Sequence, residues 1–347
     1  MPKRGSVWNN PAVQKLIAAV AALIILLVVI GLSLPRHARV TVSLDIAARP
    51  VTVFALVNDF HRARLWLPSF EADPNARIVF AGPERGIGAT ITWDGPVLGS
   101  GTQTIVDSRP YEHIAMSINP GEPGAARSWF DFVDTGTATT VQWSFEADYG
   151  YNLVGRYAAL MLNGVIRKDY ERGLLSLAAI AATLPGADFS DLEIEQLVVA
   201  PVPIAYLATS SAPDPASISD AMGKAYFQIL GFIDAHGLSE AGAPLSIMRS
   251  FSGTELRFDA AIPVRGSSTE LPSDGSGVRI GSTHAGTVIR VKHVGSYREL
   301  AVTHRKIAAY LAALGIERNG NAWESYVSDP TKVAEADLLT YVYYPIL

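Results

Sequence analysis

The stretch NAWESYVSDP, Asn321 to Pro330, sets a carboxylate, Glu324, between Trp323 and Tyr326 in a run that otherwise reads as a β-strand. Strand alternation places Ala322, Glu324 and Tyr326 on one face and Trp323, Ser325 and Val327 on the other. An acid on a buried strand face is costly unless it is partnered, because burial penalises the charged form. Three chemistries answer that cost. An incoming cation would neutralise the acid, with aromatic faces adding cation–π attraction of about 0.5–2 kcal/mol. Glu324 would act as a general base through water, with Tyr326 orienting it. Or Glu324 closes a structural ion pair with Arg290 or Lys292 on the preceding strand.

The other polar candidates are His61, Asp94 and His113, and none stands at a metal-ligand or nucleophile–base spacing. His61, in FHRARLW, reads as a solvated helix or loop residue; Trp66 and Pro68 read as a core anchor and a helix stop; Trp93 and Trp143 read as sheet packing. The chain has no cysteine, which excludes disulfides, thiolate metal sites and cysteine nucleophiles. No metal site and no cofactor is expected. Residues 1–39 hold five basic residues and no acid, which leaves the remainder with 23 basic against 33 acidic residues, a net charge of −10. An acidic body repels phosphate backbones, so nucleic acid is not an expected partner.

The elements that position these residues begin with a membrane signal. Leu16 to Leu34 runs for 19 positions without a charge, enough at about 1.5 Å per residue to span a hydrocarbon core of roughly 30 Å. A cleavable signal peptide is the rival reading, but GLSLPRHARV offers no convincing A-x-A-like site. Lys3, Arg4 and Lys15 favour a cytoplasmic segment 1–15, a transmembrane helix 16–34, and a body on the periplasmic or extracytoplasmic side.

Within residues 38–184, RVTVSLDIAARP alternates as a strand, and PVTVFALVNDFHRARLWLP has helical spacing up to Pro68. Turn-punctuated strands follow, and a long helix from Asn152 to Pro185 closes the region. This helix-grip outline, with GIGATITWDG, GSGTQTIVDSRPYEHI and YERGLLSL, resembles the polyketide cyclase/dehydrase type of the START-like (SRPBCC) superfamily. The resemblance implies a long helix lying across a curved antiparallel sheet over an apolar cavity, and binding of a hydrophobic molecule without implying catalysis.

Beyond TLPGADFSDLE the pattern changes and then repeats itself. PVPIAYLATSS, a helix ending His236-Gly237-Leu238, and two strands ending Ile262-Pro263-Val264 are matched by AGTVIRVKHVGSY, a helix ending Leu314-Gly315-Ile316, and two strands ending Tyr344-Pro345-Ile346. Residues 190–347 are thus a duplicated β-α-β-β unit with a cleft where the halves meet. The outline, with ESYVSDP followed by LLTYVYYPI, resembles the GyrI-like effector-binding domain of bacterial transcription activators. The resemblance implies an acid on the penultimate strand at the bottom of an aromatic-walled pocket, and Glu324 stands at that position. Many relatives carry a further acid in the last strand, where this chain has Tyr341; the first copy keeps Asp259 there. The expected ligand-binding set is Glu324, Tyr326, Tyr206, Tyr341 and Asp259. The place of a DNA-binding region is taken by the anchor and the START-like region, which argues against a direct transcriptional role.

The fold class expected is therefore α+β: one transmembrane helix, a helix-grip domain and a duplicated GyrI-like domain. The function expected is a membrane-anchored protein that senses or sequesters cationic or amphipathic hydrophobic compounds. The alternatives are a hydrolase of electrophilic small molecules with Glu324 as general base, and a lipid-binding or lipid-transfer protein. The uncleaved anchor predicts that carbonate-washed membranes retain the full-length chain. A mature protein beginning after Leu34 and found in the soluble fraction would identify the segment as a signal peptide instead.

Overall fold

Ala12–Ser33, whose most apolar 18-residue window has a mean hydropathy of 3.1, lies within helix α1 (Pro11–Ser33), and from Leu16 to Leu32 its Leu, Ile and Val side chains stand exposed. At 22 residues this apolar stretch measures about 33 Å, one hydrocarbon core. The computed structural model describes residues 11–119, 126–266 and 275–347. The greater part of the expected cytoplasmic segment 1–15 therefore lies outside the described residues. The chain folds as two compact units, one ending at Gly186 and the other beginning at Ala187.

In the first unit, β1 (His37–Ile46) leads to three short helices, α2 (Pro50–Val57), α3 (Phe60–Ala63) and α4 (Pro68–Ala72). The helical spacing that runs through to Pro68 is broken at Asn58–Asp59. Asp59 accepts a hydrogen bond from the His61 amide at 2.8 Å and starts a new helix there. Pro68, read as a stop, opens α4, where its fixed φ suits the first turn and its missing N–H has no partner to lose. The strands β2 (Arg77–Ala81), β3 (Thr90–Gly95), β4 (Gly99–Arg109), β5 (His113–Asn119), β6 (Ala126–Asp134) and β7 (Thr139–Asp148) follow. With β1 they form one antiparallel sheet in the order β1-β7-β6-β5-β4-β3-β2. The closing helix α5 (Leu153–Thr183) packs against the sheet at β1.

The resemblance implies an apolar cavity beneath α5. Here an aromatic stack occupies the part of that layer beneath Tyr170 and Gly173. Trp143 lies parallel to Tyr170 of α5 at 3.6 Å between ring centres and to Phe130 at 4.7 Å, with Trp66 edge-on at 5.6 Å. Gly173 permits the approach of helix to sheet, because a Cβ there would meet the Trp143 ring at 2.7 Å. The polar centre of the stack is Ser128. Its hydroxyl accepts from Trp143 Nε1 at 2.8 Å and lies 3.1 Å from the Tyr170 hydroxyl. Burial pushes the Tyr170 phenol well above its usual range, so it remains a neutral hydrogen-bonding group.

In the second unit, β8 (Ile194–Val199) and β9 (Pro203–Ser211) precede α6 (Pro215–Ala235), followed by β10 (Ser239–Glu240), β11 (Leu245–Phe251) and β12 (Leu256–Arg265). The second copy comprises β13 (Arg279–Ser282), β14 (Gly286–Val294), α7 (Leu300–Leu314), β15 (Trp323–Tyr326) and β16 (Leu339–Pro345). The main sheet runs β13-β9-β12-β11-β15-β16-β14-β8, with β10 beside β12. The order is a pseudo-two-fold: β11 and β15, equivalent strands of the two copies, pair at the centre. Each copy also borrows its edge strand, since β8 pairs with β14 and β13 with β9. The helices end alike, with Gly237 at φ 63° and Gly315 at φ 65°, the left-handed conformation that glycine adopts without penalty.

One face of this sheet is covered by helices. Ala225, Ile229, Phe232 and Ile233 of α6 pack on Phe258, Ala260 and Ile262. Ile307 and Leu311 of α7 pack on Val291, Val342 and Tyr344. The opposite face carries a separate cluster around Ile204, Leu245, Val288 and Trp323.

Ser128→Ala in the first unit is expected to cost about 1–3 kcal/mol, because it leaves the buried Trp143 N–H without an acceptor. Urea unfolding followed by tryptophan fluorescence measures it, and an unchanged midpoint would remove Ser128 from that role.

Candidate functional site

The central pair β11–β15 sets Glu324 directly opposite Ser246, and these two residues stand 78 positions apart, the same offset as the helix ends His236 and Leu314. A carboxylate and a hydroxyl thus face each other at the pseudo-axis. On the next strand Glu324 is opposite Val342, so it points to the face that the helices cover. Tyr226 of α6 and His304 of α7 are also 78 positions apart. Each helix therefore supplies one polar aromatic group from equivalent positions.

The carboxylate is met by protein donors. Glu324 Oε1 lies 2.7 Å from His304 Nε2, and Oε2 accepts from the Tyr326 hydroxyl. His304 Nδ1 lies 2.7 Å from the Tyr344 hydroxyl. With Nε2–H donated to the carboxylate, a neutral imidazole leaves Nδ1 to accept from Tyr344, so one tautomer satisfies the whole chain Tyr344–His304–Glu324–Tyr326. Both Glu324 and His304 retain 15% side-chain exposure. Around them, Tyr297 stands edge-on to Tyr326 at 5.3 Å, Met222 Sδ lies 3.9 Å from the Tyr326 hydroxyl, and Tyr226 donates to the Leu245 carbonyl at 2.9 Å.

The phenols are kept neutral by burial first and by the charge of the acid after it. Burial pushes Tyr326 far up, and the charge of Glu324 pushes it further. Tyr226 rises for the same two reasons in the same order. Tyr344 is pushed up to about 12, burial first; Arg318, 4.9 Å above its ring, opposes the shift, and Glu324 adds to it. At neutral pH these groups are hydrogen-bond donors and not phenolate bases. The chemistry available is that of a carboxylate and an imidazole within a wall of neutral phenols.

Of the five residues expected to bind ligand, the structure brings Glu324 and Tyr326 together and sets the others apart. Tyr206 and Tyr341 fall in the register line of Leu245 and Ser325, on the opposite face of the sheet. Asp259 lies in the line of Ile247 and Trp323 on that same opposite face, buried against Arg249. Its partner reaches it because a bulge between Met248 and Ser250 leaves Arg249 as the extra residue of β11. The alternative reading, an ion pair of Glu324 with Arg290 or Lys292, is not borne out. β16 intervenes between β14 and β15, and both basic residues project to the other face. There Arg290 pairs with Glu195 at 2.5 Å and Lys292 with Glu193 at 3.4 Å.

In the first unit the polar candidates are occupied separately. His61 stacks on Phe80 at 4.1 Å and contacts Asp59, His113 contacts Asp131 at 2.6 Å, and Asp94 accepts from Ser100 at 2.6 Å in a hairpin. Sequence reasoning missed His304, Tyr344 and Tyr226. The signal for the first was present: His304 lies four residues after Leu300 and three before Ile307, on the buried face of α7.

Comparison with known proteins assigns the two units to two families. Residues 37–182 match the family described as polyketide cyclase / dehydrase and lipid transport, and residues 192–347 match the GyrI-like small molecule binding domain. The chain thus joins a START-like domain to a GyrI-like domain. No curated protein matches it. Among solved structures it is similar to the EcmrR C-terminal domain, at 13% identity and a TM-score of 0.40 over 45% of this chain and 98% of that one. It is also similar to an uncharacterised conserved protein from Listeria innocua, at 16% identity and a TM-score of 0.35 over 44% and 92%. A third similar structure, from Thermobifida fusca, shows 21% identity and a TM-score of 0.34 over 42% and 93%.

His304→Ala should lower the stability of the GyrI-like unit by about 1–3 kcal/mol, because a largely buried carboxylate loses a donor. Tyr344→Phe, which removes only the outer link, should cost less. Thermal melts with amide exchange read at α7 and β15 measure both, and equal protection in all three proteins would contradict the network.

Proposed function

We propose that the protein is a membrane-tethered receptor for cationic or polarised hydrophobic small molecules, and that Glu324 is the group that recognises the charge. The observation that carries this reading is the environment of Glu324. Among the described residues its side-chain partners are His304 and Tyr326, and no lysine or arginine forms an ion pair with it. An imidazole meets the carboxylate through a single hydrogen bond, whereas a guanidinium would hold it by a permanent charge and two, so His304 is a partner that a cationic ligand can displace. Tyr226, Tyr297, Tyr326 and Tyr344 supply aromatic surface around the acid, and Met222 adds a flexible, polarisable wall suited to varied apolar shapes. α1 holds the receptor at the bilayer, where amphipathic cations concentrate, and the basic residues Lys3, Arg4 and Lys15 support placing both soluble units outside the cytoplasm.

A second reading is favoured by one specific contact. His304 beside Glu324 is an acid–base partner that spacing alone does not reveal, and the two would activate a water for hydrolysis of an electrophilic compound. Turnover of an electrophile panel, lost in both Glu324→Gln and His304→Ala, distinguishes an enzyme from a receptor.

Glu324→Gln keeps the shape of the side chain and removes its charge. It should weaken binding of tetraphenylphosphonium or a rhodamine dye by on the order of 2–5 kcal/mol, while stability changes by less, because the other His304 tautomer can accept from the new amide and donate to Tyr344. Calorimetric titration of the two proteins measures it. Equal affinities would remove Glu324 from the site.

A further inference from the structure

The end of α1 is clamped onto the START-like unit. Arg156 is buried, and its Nη1 donates to the carbonyls of Gly31 at 3.2 Å, Leu32 at 3.0 Å and Leu34 at 3.0 Å, while its Nε donates to Gly150 at 2.9 Å. A helix leaves its last carbonyls without intrahelical partners, and a guanidinium there satisfies them and opposes the negative end of the helix dipole. The Tyr157 hydroxyl donates to Leu27 at 2.6 Å, and Gly31 lies against Tyr157 and Leu153, where a Cβ would meet the Tyr157 ring at 3.1 Å. Leu153 and Tyr157 thus both lie against Gly31, and the Tyr157 hydroxyl reaches from there to the Leu27 carbonyl.

This docking fixes a depth. Leu27 lies six residues before Ser33, about 9 Å below the end of the apolar helix. A side chain that reaches the Leu27 carbonyl is carried by a helix at the level of the headgroup–acyl boundary, where interfacial helices bury their apolar faces by about 5–10 Å. The composition of α5 changes along its length in the matching sense. From Leu153 to Ile166 its only charged residue is Arg156, which is turned to α1; then Arg167, Lys168, Asp169, Glu171 and Arg172 follow within six positions. The apolar half is also exposed on the outside: Val154 and Met161 at 80% each, with Leu160 and Val165 more than half exposed and Tyr151 just before the helix at 90%. Val154, Met161 and Val165 recur at helical spacing along one stripe.

We infer that the N-terminal half of α5, Tyr151 to Val165, is a second membrane contact: it lies in the lipid interface beside α1, and the charged residues from Arg167 onward mark where the helix leaves it. The inference rests on α1 being a retained anchor. The occupant of the exposed stripe is the bilayer itself, because the stripe is continuous with a helix that the bilayer surrounds. Two contacts, one spanning and one interfacial, hold the START-like unit in a set orientation on the membrane instead of on a free tether.

The absence of cysteine allows a direct test. Single spin labels are placed at L23C, V154C, M161C and E171C in the full-length chain, reconstituted in vesicles of phosphatidylethanolamine and phosphatidylglycerol. Collision rates with oxygen and with a water-soluble nickel chelate are then compared. The expected result is an oxygen-to-nickel ratio several-fold higher at V154C and M161C than at E171C, with L23C higher still. L23C in lipid with V154C and M161C as nickel-accessible as E171C would overturn the interfacial contact and leave the anchor standing. L23C in water would overturn both. Labels at 154 and 161 shielded from both reagents would show that protein and not lipid covers the stripe, and would also overturn the inference.

Discussion

A carboxylate on the helix-covered face of a sheet must be met by donors, and in the GyrI-like unit that requirement organises everything around Glu324. His304 and Tyr326 bond to its two oxygens, Tyr344 bonds to His304, and the buried phenols are held in their neutral, donating form partly by the charge they surround. The arrangement is possible because duplication places equivalent residues opposite one another. Tyr226 and His304 descend from equivalent helix positions, and Ser246 and Glu324 from equivalent strand positions; the copies have diverged so that one side supplies neutral groups and the other the acid and its base. A fully symmetric pair of acids at the axis would repel, and two hydroxyls would recognise no charge.

The two units treat their interiors differently. Beneath Tyr170 of its long helix the START-like unit packs stacked Trp143, Tyr170 and Phe130 around one buried serine. The GyrI-like unit keeps a polar chain between two helices, with partial exposure at Glu324 and His304. Buried polar networks are rigid when every member is satisfied and vulnerable when one is taken away. On the proposed reading, a ligand that replaced His304 at the carboxylate would act on the packing of α7.

The repeated strand–helix–strand–strand pattern, the period-two alternation that puts Glu324 and Tyr326 on one face, and the uncharged stretch of α1 were all legible in the residues, because each is a local periodicity. The long helix was legible for the same reason. Strand order was not. β16 lies between β14 and β15, which carries Arg290 and Lys292 away from Glu324, and that insertion depends on which edges pair in three dimensions. Register between distant strands is equally absent from local periodicity, and it sets Tyr206, Tyr341 and Asp259 on the face opposite Glu324. His304 is legible as a residue of the buried face of α7 but not as the partner of Glu324, which stands 20 residues away on a strand.

The central claim, that a cation is received between α6 and α7 at Glu324, is tested most directly by locating a bound cation. A photoreactive triphenylphosphonium probe, cross-linked to the full-length protein in membranes and mapped by mass spectrometry, should label peptides containing Met222–Tyr226, Tyr297–His304 or Glu324–Tyr326, and excess tetraphenylphosphonium should abolish that labelling. Competable labelling confined to the opposite sheet face, at Tyr206, Tyr341 or Trp323, or confined to the START-like unit, would contradict it.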